Sequence, residues 1–327
     1  MKTTCRKPAI KYTPQNRKPC VDRKSPYNPF VFPKKTSRAN ITRESVNIAQ
    51  SYLPAATFRP VFEDIAHNVR LFQADCLGIL DYIARIEPQG CVDMIFADPP
   101  YFLSNGGISC QAGRMVSVNK GDWDKSRGHE ANHEFNKKWL LACQKVLKPN
   151  GTIWVSGTAH IIHSIGFAMQ QLGFKILNDI TWVKPNPPPN LSCRYFTHAT
   201  ETVIWAAKNL NSRHLYNYQE MRRRSGGKQM KSVWDIYPPA TSEKTFGKHP
   251  TQKPLGLLER IISASSNQGD LVLDPFMGSA TTGVAAVQLK RKFAGIELEQ
   301  QYMETSIKRI KQALEYSPAK QPELSTR

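Results

Sequence analysis

From Val69 onward the chain alternates short apolar runs with stretches of helical spacing. Val69-Arg70-Leu71-Phe72-Gln73-Ala74 reads as a strand ending at Asp75, and the segment that follows, through Ile83, reads as a helix. Val92-Asp93-Met94-Ile95-Phe96-Ala97 is a second short apolar run, and it stops at Asp98. Phe135, Trp139, Leu140, Cys143, Val146 and Leu147 recur at three and four residues, one face of a helix, which Lys148-Pro149-Asn150-Gly151 should end. The same pattern predicts strands over 152–156, 176–183, 202–206, 271–273 and 293–296. It predicts helices over 160–172, 255–265, 281–289 and 300–316. Strands alternating with helices of this length imply an α/β fold, doubly wound, with a mostly parallel sheet covered on both faces.

Two stretches break the alternation. Residues 1–60 carry 13 Lys and Arg against only Asp22 and Glu44, with eight prolines and no sustained apolar period. They read as a basic arm, disordered or loosely attached, serving either as a tether for a DNA backbone or as a solvated extension. Residues 207–248 are polar, basic and rich in turns. The expected organisation is thus an arm over 1–60 and one catalytic domain over 61–327, with an insertion at about 185–248.

Composition changes this picture in one respect. The chain of 327 residues holds 45 Lys+Arg against 26 Asp+Glu, a net charge of +19. An excess of that size points to a polyanionic partner, because neutralising phosphates releases counterions. No apolar run approaches the length needed to span a bilayer, and no signal peptide opens the chain. The seven cysteines are scattered, odd in number and never spaced C-x-x-C, which argues for a reducing, cytoplasmic compartment and against a zinc site.

Two constellations carry chemistry. Asp274-Pro275-Phe276-Met277-Gly278-Ser279-Ala280-Thr281-Thr282 sits between a strand and a helix, where a small-residue turn lets a ligand approach the backbone. Glu297 closes the next strand, about twenty positions on, where an acid can hold the two hydroxyls of a ribose. There is no G-x-G-x-x-G cradle for a pyrophosphate, so a nucleoside without a diphosphate fits better than NAD. The second constellation is Asp98-Pro99-Pro100-Tyr101, directly after an apolar strand and so at the carboxyl edge of the sheet. Its prolines stiffen the turn and remove amide donors. A carboxylate and an outward carbonyl accepting both hydrogens of an exocyclic amine would free the nitrogen lone pair to attack a methyl sulfonium. Tyr101 offers a stacking face for a base swung out of the helix.

The combination resembles the amino-methyltransferases that modify DNA bases, with the catalytic motif ahead of the cofactor motif as in the permuted β group. Lys248-His249-Pro250-Thr251-Gln252-Lys253-Pro254 is similar to a further cofactor-contacting motif of that group. Within it, Phe102-Leu103-Ser104-Asn105-Gly106-Gly107, Lys120-Gly121-Asp122-Trp123-Asp124 and the stretch Asn190 to His198 resemble the second adenine methyltransferases of DpnII-type restriction–modification systems. The resemblance spans roughly 69–312 and implies a Rossmann-like methyltransferase sheet with S-adenosylmethionine as cofactor. It implies that Asp98 accepts from adenine N6, with Pro99, Pro100 and Tyr101 completing the catalytic turn. Asp75, Lys253, Asp274, Phe276, Gly278, Ser279, Thr281 and Glu297 would line the cofactor, Glu297 at the ribose and Lys253 near the carboxylate. Ala280 departs from the family's glycine, and its methyl clashes if that turn needs a positive φ.

Interleaved basic and aromatic residues mark Arg194, Tyr195, Phe196, Arg222, Arg223 and Lys228 as candidate DNA contacts, although Arg222-Arg223-Arg224 reads equally well as a solvated charge run. The glycine-rich loop 103–125 is placed to close over the target base. The expected partners are DNA, double-stranded with single strands admitted, and a restriction endonuclease sharing the GATC site; no membrane is expected, and homodimerisation stays open. Methylation of cytosine N4 or of RNA, and a non-catalytic nucleic-acid-binding role on the same fold, stay open as alternatives.

Overall fold

The computed structural model describes residues 29–30, 58–104, 108–111, 114–117, 121–247 and 249–316. Among them the strands are β1 (Phe62–Asp64), β2 (Val69–Gln73), β3 (Val92–Ala97), β4 (Ile108–Gln111), β5 (Arg114–Ser117), β6 (Leu147–Gly157), β7 (Lys175–Val183), β8 (Thr200–Ala207), β9 (Val233–Asp235), β10 (Leu271–Asp274) and β11 (Lys292–Glu297). The helices are α1 (Cys76–Ile86), α2 (His129–Val146), α3 (Ile162–Gln171), α4 (Tyr218–Arg224), α5 (Leu255–Ser265), α6 (Thr281–Gln288) and α7 (Gln300–Glu315).

Nine strands form one sheet in the order β1-β2-β11-β10-β3-β6-β8-β7-β9, while β4 and β5 pair with each other. Five of the eight pairings in the large sheet are parallel; β1 on β2, and β8 on both β6 and β7, are antiparallel. Both faces are covered. Ile95 and Ala97 of β3 pack with Ile79 and Ile83 of α1, Trp139 and Cys143 of α2, and Ile165 of α3. Met94 and Phe96, which point the other way, pack with Leu257 and Ile261 of α5, Val284 of α6 and Ile310 of α7. That is why β3 reads as a continuous apolar run rather than an alternating one. The expected doubly wound, mostly parallel architecture is what the chain adopts.

Local chemistry fixes the ends of the elements. Asp75 caps α1, its Oδ1 accepting from the Leu77 amide, and the buried Cys76, Ile79, Leu80 and Ile83 follow at helical spacing. Lys148-Pro149-Asn150-Gly151 does end α2, but it continues as the first part of β6. The pairing of β3 with β6 jumps from Val92 opposite Leu147 to Met94 opposite Thr152, so the Pro-Asn-Gly segment is a bulge.

The expected arm falls mostly outside the described residues, as do 105–107, 112–113 and 118–120 of the loop 103–125. Three residues of the arm are docked on the domain, Pro29, Phe30 and Phe58, the last stacked on Tyr82. Phe30 is buried edge-on to Phe72, and the Pro29 carbonyl accepts from Arg70 Nη1 at 3.0 Å. The stretch 207–248 is less irregular than its composition suggests. It contains α4, whose buried side chain is Met221 and whose Glu220 pairs with Arg223 and Arg224, and β9, which extends the sheet beside β7.

Candidate active site

The carboxyl ends of β2, β3, β10 and β11 converge on one cavity of about 310 Å³, a size suited to a small-molecule site. Asp75, Asp98, Pro99, Pro100, Tyr101, Lys253, Asp274, Phe276, Gly278, Ser279, Thr281 and Glu297, the predicted catalytic and cofactor residues, all line it.

The turn between β10 and α6 forms one wall. Asp274 holds it from below, its Oδ1 accepting from the Phe276 amide at 3.0 Å and its Oδ2 from Thr282 Oγ1 at 2.6 Å. Glu297 reaches across from β11, its two oxygens accepting from the amides of Gly278 at 2.7 Å and Glu299 at 2.8 Å. Each carboxylate oxygen keeps a lone pair for a further donor. From α7, Ser306 Oγ donates to the Gly278 carbonyl, and Arg309 reaches the Ser279 carbonyl and the hydroxyls of Ser279 and Thr281. The hydroxyls of Ser279 and Thr281 therefore brace the turn. Gly278 sits at φ +53, and a Cβ there would meet the His249 ring at 3.1 Å. Ala280 is also left-handed, at φ 58 and ψ 34. The clash anticipated for a methyl in that conformation is present, at roughly 1–2 kcal/mol. Its methyl is fully buried, and burial of about one CH₂ equivalent returns roughly 0.8 kcal/mol.

The turn after β3 forms the opposite wall. Asp98 Oδ1 accepts from the Tyr101 hydroxyl at 2.7 Å and Oδ2 from Lys253 Nζ at 2.5 Å. Burial pushes the Asp98 carboxyl up, Lys253 pulls against it, and Glu201 adds to the rise. Burial works against a charge on Lys253, but Asp98 and then Glu201 outweigh it and hold the ammonium above the ordinary lysine range. Burial and the two carboxylates also push the Tyr101 hydroxyl well up, so it stays protonated and donates. Lys253, expected near the cofactor carboxylate, lines the cavity with its ammonium on Asp98.

Asp124, at the end of a 3₁₀ turn (Asp122–Asp124), fixes the turn Asp98–Tyr101 from behind. Its fully buried carboxylate accepts from the amides of Tyr101 and Phe102 at 2.8 Å, from the Leu103 amide at 3.2 Å and from Ser104 Oγ at 2.8 Å. That clamp holds Phe102 at φ 57, a conformation a bulky residue seldom adopts. Trp123, beside it, stacks on His249 across the cavity, and His249 meets Tyr302 edge-on.

The predicted DNA contacts separate into two groups. Arg194, Tyr195 and Phe196 lie on the loop between β7 and β8, at the same sheet edge as the cavity, with Phe196 95% exposed. The Tyr195 ring packs against His198, which in turn neighbours His160 just beyond β6. Arg222, Arg223 and Lys228 are not brought there. The Asn217 side chain before α4 and Arg224 at its end bond to Ser263 and Ser266, at the far end of α5. Lys253 stands just before the near end, and the 11 residues of α5 span about 16 Å. Arg222 Nε donates to the Gly227 carbonyl and Arg223 pairs with Glu220. Among the described residues no His, Cys, Asp and Glu cluster is arranged to hold a metal ion.

Comparison with known proteins bears directly on this geometry. Residues 92–308, which hold both walls of the cavity, match the DNA methylase family model. The chain belongs to the DNA methylase family. The enzyme is 55% identical over 259 residues to the Type II methyltransferase M2.LlaDCHI of Lactococcus lactis subsp. cremoris, covering 79% of this chain and 94% of that one. It is 58% identical over 230 residues to the Type II methyltransferase M2.DpnII of Streptococcus pneumoniae, covering 70% and 85%. Among solved structures, that of M1.HpyAVI with S-adenosylmethionine superposes with a TM-score of 0.57 at 30% identity, covering 74% of this chain and 98% of that one. The enzyme is an S-adenosylmethionine-dependent DNA methyltransferase of the restriction–modification type. No helix among the described residues is long and apolar enough to cross a membrane.

The cavity's chemistry fits that cofactor. Phe276, held edge-on by Trp139, offers an apolar face, Glu297 has lone pairs for a diol, and Gly278 leaves the backbone bare. Burial, above all, raises both Asp274 and Glu297 to about 7. A raised carboxyl favours the free fold below the ordinary carboxylate range, and that contribution is lost as pH rises through about 7. A bound sulfonium favours the ionised forms and drives protons off. Calorimetric titration near pH 7, in buffers of different ionisation enthalpy, should show release of up to about one proton per cofactor, with affinity rising through that region. Binding without proton exchange would mean that neither acid faces the ligand.

Proposed function

We propose that this methyltransferase modifies the exocyclic N6 amine of adenine in GATC sites, protecting DNA against a restriction endonuclease that shares the site. The observation that carries the reading is the Asp98 carboxylate in the wall of the cavity, largely withdrawn from solvent on a proline-stiffened turn. Asp, rather than Ser, ahead of Pro99-Pro100 resembles the adenine-modifying branch of the family. The GATC site rests on likeness to the M2.DpnII and M2.MboI enzymes, the latter from Moraxella bovis and 48% identical over 251 residues.

Bound S-adenosylmethionine supplies an electrophilic methyl group on sulfonium. Asp98 accepts one amine hydrogen and the Pro99 carbonyl the other, turning the nitrogen lone pair towards the methyl carbon. The new N–C bond forms from that lone pair, the electrons of the broken C–S bond stay on sulfur, and one amine proton leaves to Asp98. The Tyr101 ring lines the space for the base once it is swung out of the helix. Arg194, Tyr195 and Phe196, exposed at that edge, would meet the strand.

Methylome sequencing of a methylation-free bacterial host expressing the chain tests both parts of the reading. The expected result is N6-methyladenine confined to GATC. Methylcytosine would overturn the base, and methyladenine in another context would overturn the site.

A further inference from the structure

Glu201 was not singled out by any motif, yet it lies at the centre of the buried charges around Asp98. It stands on β8 opposite Trp182 of β7, at 10% side-chain exposure, and shares the Tyr101 hydroxyl with Ser156 of β6. Its Oε2 accepts from the Tyr101 hydroxyl at 3.3 Å and lies 3.7 Å from Lys253 Nζ, while its Oε1 accepts from Lys184 Nζ at 2.5 Å. Lys184, just after β7, is the more exposed member and faces the Trp182 ring. Lys253 is therefore held between two carboxylates, and Glu201 is held between two ammonium groups.

That arrangement answers a chemical difficulty. An ammonium in direct contact with Asp98 lowers its power to accept from a weak donor such as an aromatic amine. A second fixed anion against the same ammonium restores that power, strongly so in a site withdrawn from water. Environments that drive two neighbouring carboxyls apart assign them different roles. Lys253 and Lys184 hold Glu201 below the usual carboxylate range against the opposing effect of its burial, whereas Asp98 is held above it.

We propose that Glu201, anchored by Lys184, is a positioning residue for methyl transfer: it takes up part of the Lys253 charge and so keeps Asp98 a strong acceptor for the target amine. The inference rests on the amine-methylating reading. The charged and titratable groups facing this pair are Lys253, Lys184, Tyr101 and, across the cavity, Asp274.

The two ends of the chain of charges make opposite predictions. Removing the Glu201 charge lowers the pH at which Asp98 titrates. Removing Lys184 leaves Glu201 less compensated and raises it. The test is a carbon-13 NMR titration of the full-length, cofactor-free protein with carboxyl-labelled aspartate, the Asp98 signal being assigned by its loss in Asp98→Asn. Glu201→Gln should move the Asp98 midpoint down and Lys184→Met should move it up. Glu201→Gln should also slow single-turnover transfer roughly 10–100-fold, with cofactor Kd within about two-fold of wild type. An unmoved midpoint, shifts of the same sign, or an unchanged transfer rate would overturn the role. Should Glu201→Gln fail to fold, the Lys184→Met shift decides alone, and an unmoved or lowered midpoint overturns the role. Absence of transfer by the wild-type protein would instead strike the adenine reading, leaving the titration to judge Glu201.

Discussion

Replacing Asp98 with alanine should slow single-turnover methyl transfer by about 10³-fold or more while leaving cofactor affinity within a few-fold. The rate falls because the nitrogen loses its acceptor, the group that turns its lone pair towards the methyl carbon. Cofactor affinity persists because Phe276, Gly278 and Glu297 are braced from β11 and α7, independently of the Asp98 turn. A stability cost accompanies the loss, since Lys253 gives up its nearer partner and the Tyr101 hydroxyl its shorter acceptor. Breaking a buried ion pair costs roughly 3–5 kcal/mol when the remaining charge is stranded. Here Glu201 still faces Lys253, so the loss should be smaller and the variant should fold. Rapid-quench transfer of labelled methyl, alongside calorimetric cofactor binding, reads both quantities. Transfer within ten-fold of wild type would remove Asp98 from its assigned place.

How far the residues spoke for themselves depended on the distance over which each interaction acts. The strands and helices around the cavity were legible because their signals are local: β3 is an apolar run with a stop, and α1 carries its own cap and apolar face. What was missed lacks a local signature. β9 is three residues long and pairs through its neighbour β7, while α4 buries Met221 and is laced by Glu220. The same divide runs through the site. Asp98, Gly278 and Glu297 stand at the ends of strands and announce themselves by position. Glu201, Lys184 and Ser156 gain meaning only when distant segments meet, as when Lys253 reaches Asp98 across 155 positions. Arg309 offered a faint clue, a long basic residue three positions after Ser306 on a buried face of α7. For Ala280, the residues could state the condition for a clash but not the φ that decides it.

Asp124→Ala should have the second largest effect, for a reason that involves no contact with the reacting atoms. The carboxylate satisfies three consecutive amides and the Ser104 hydroxyl within the protein interior. Stranding buried donors costs about 1–3 kcal/mol each, so the turn should relax rather than leave them all unpaired. Phe102 would then leave its left-handed conformation, and Tyr101 and Asp98 would move with it. A misplacement of about 1 Å at a reacting group suffices for roughly a 10²-fold loss of rate, and that is the expected fall in single-turnover transfer. Asp124→Asn should fall between wild type and alanine. Its one remaining oxygen can serve either the Tyr101 and Phe102 amides or the Leu103 and Ser104 side, while its new N–H₂ faces donors. Cofactor affinity should change much less than rate in both variants, because Asp124 braces the Asp98 wall and not the Gly278 wall. Hydrogen exchange at the amides of residues 101–103 reads the turn directly and should quicken in the same order. Wild-type exchange together with wild-type transfer in Asp124→Ala would show that the two prolines hold the catalytic turn unaided.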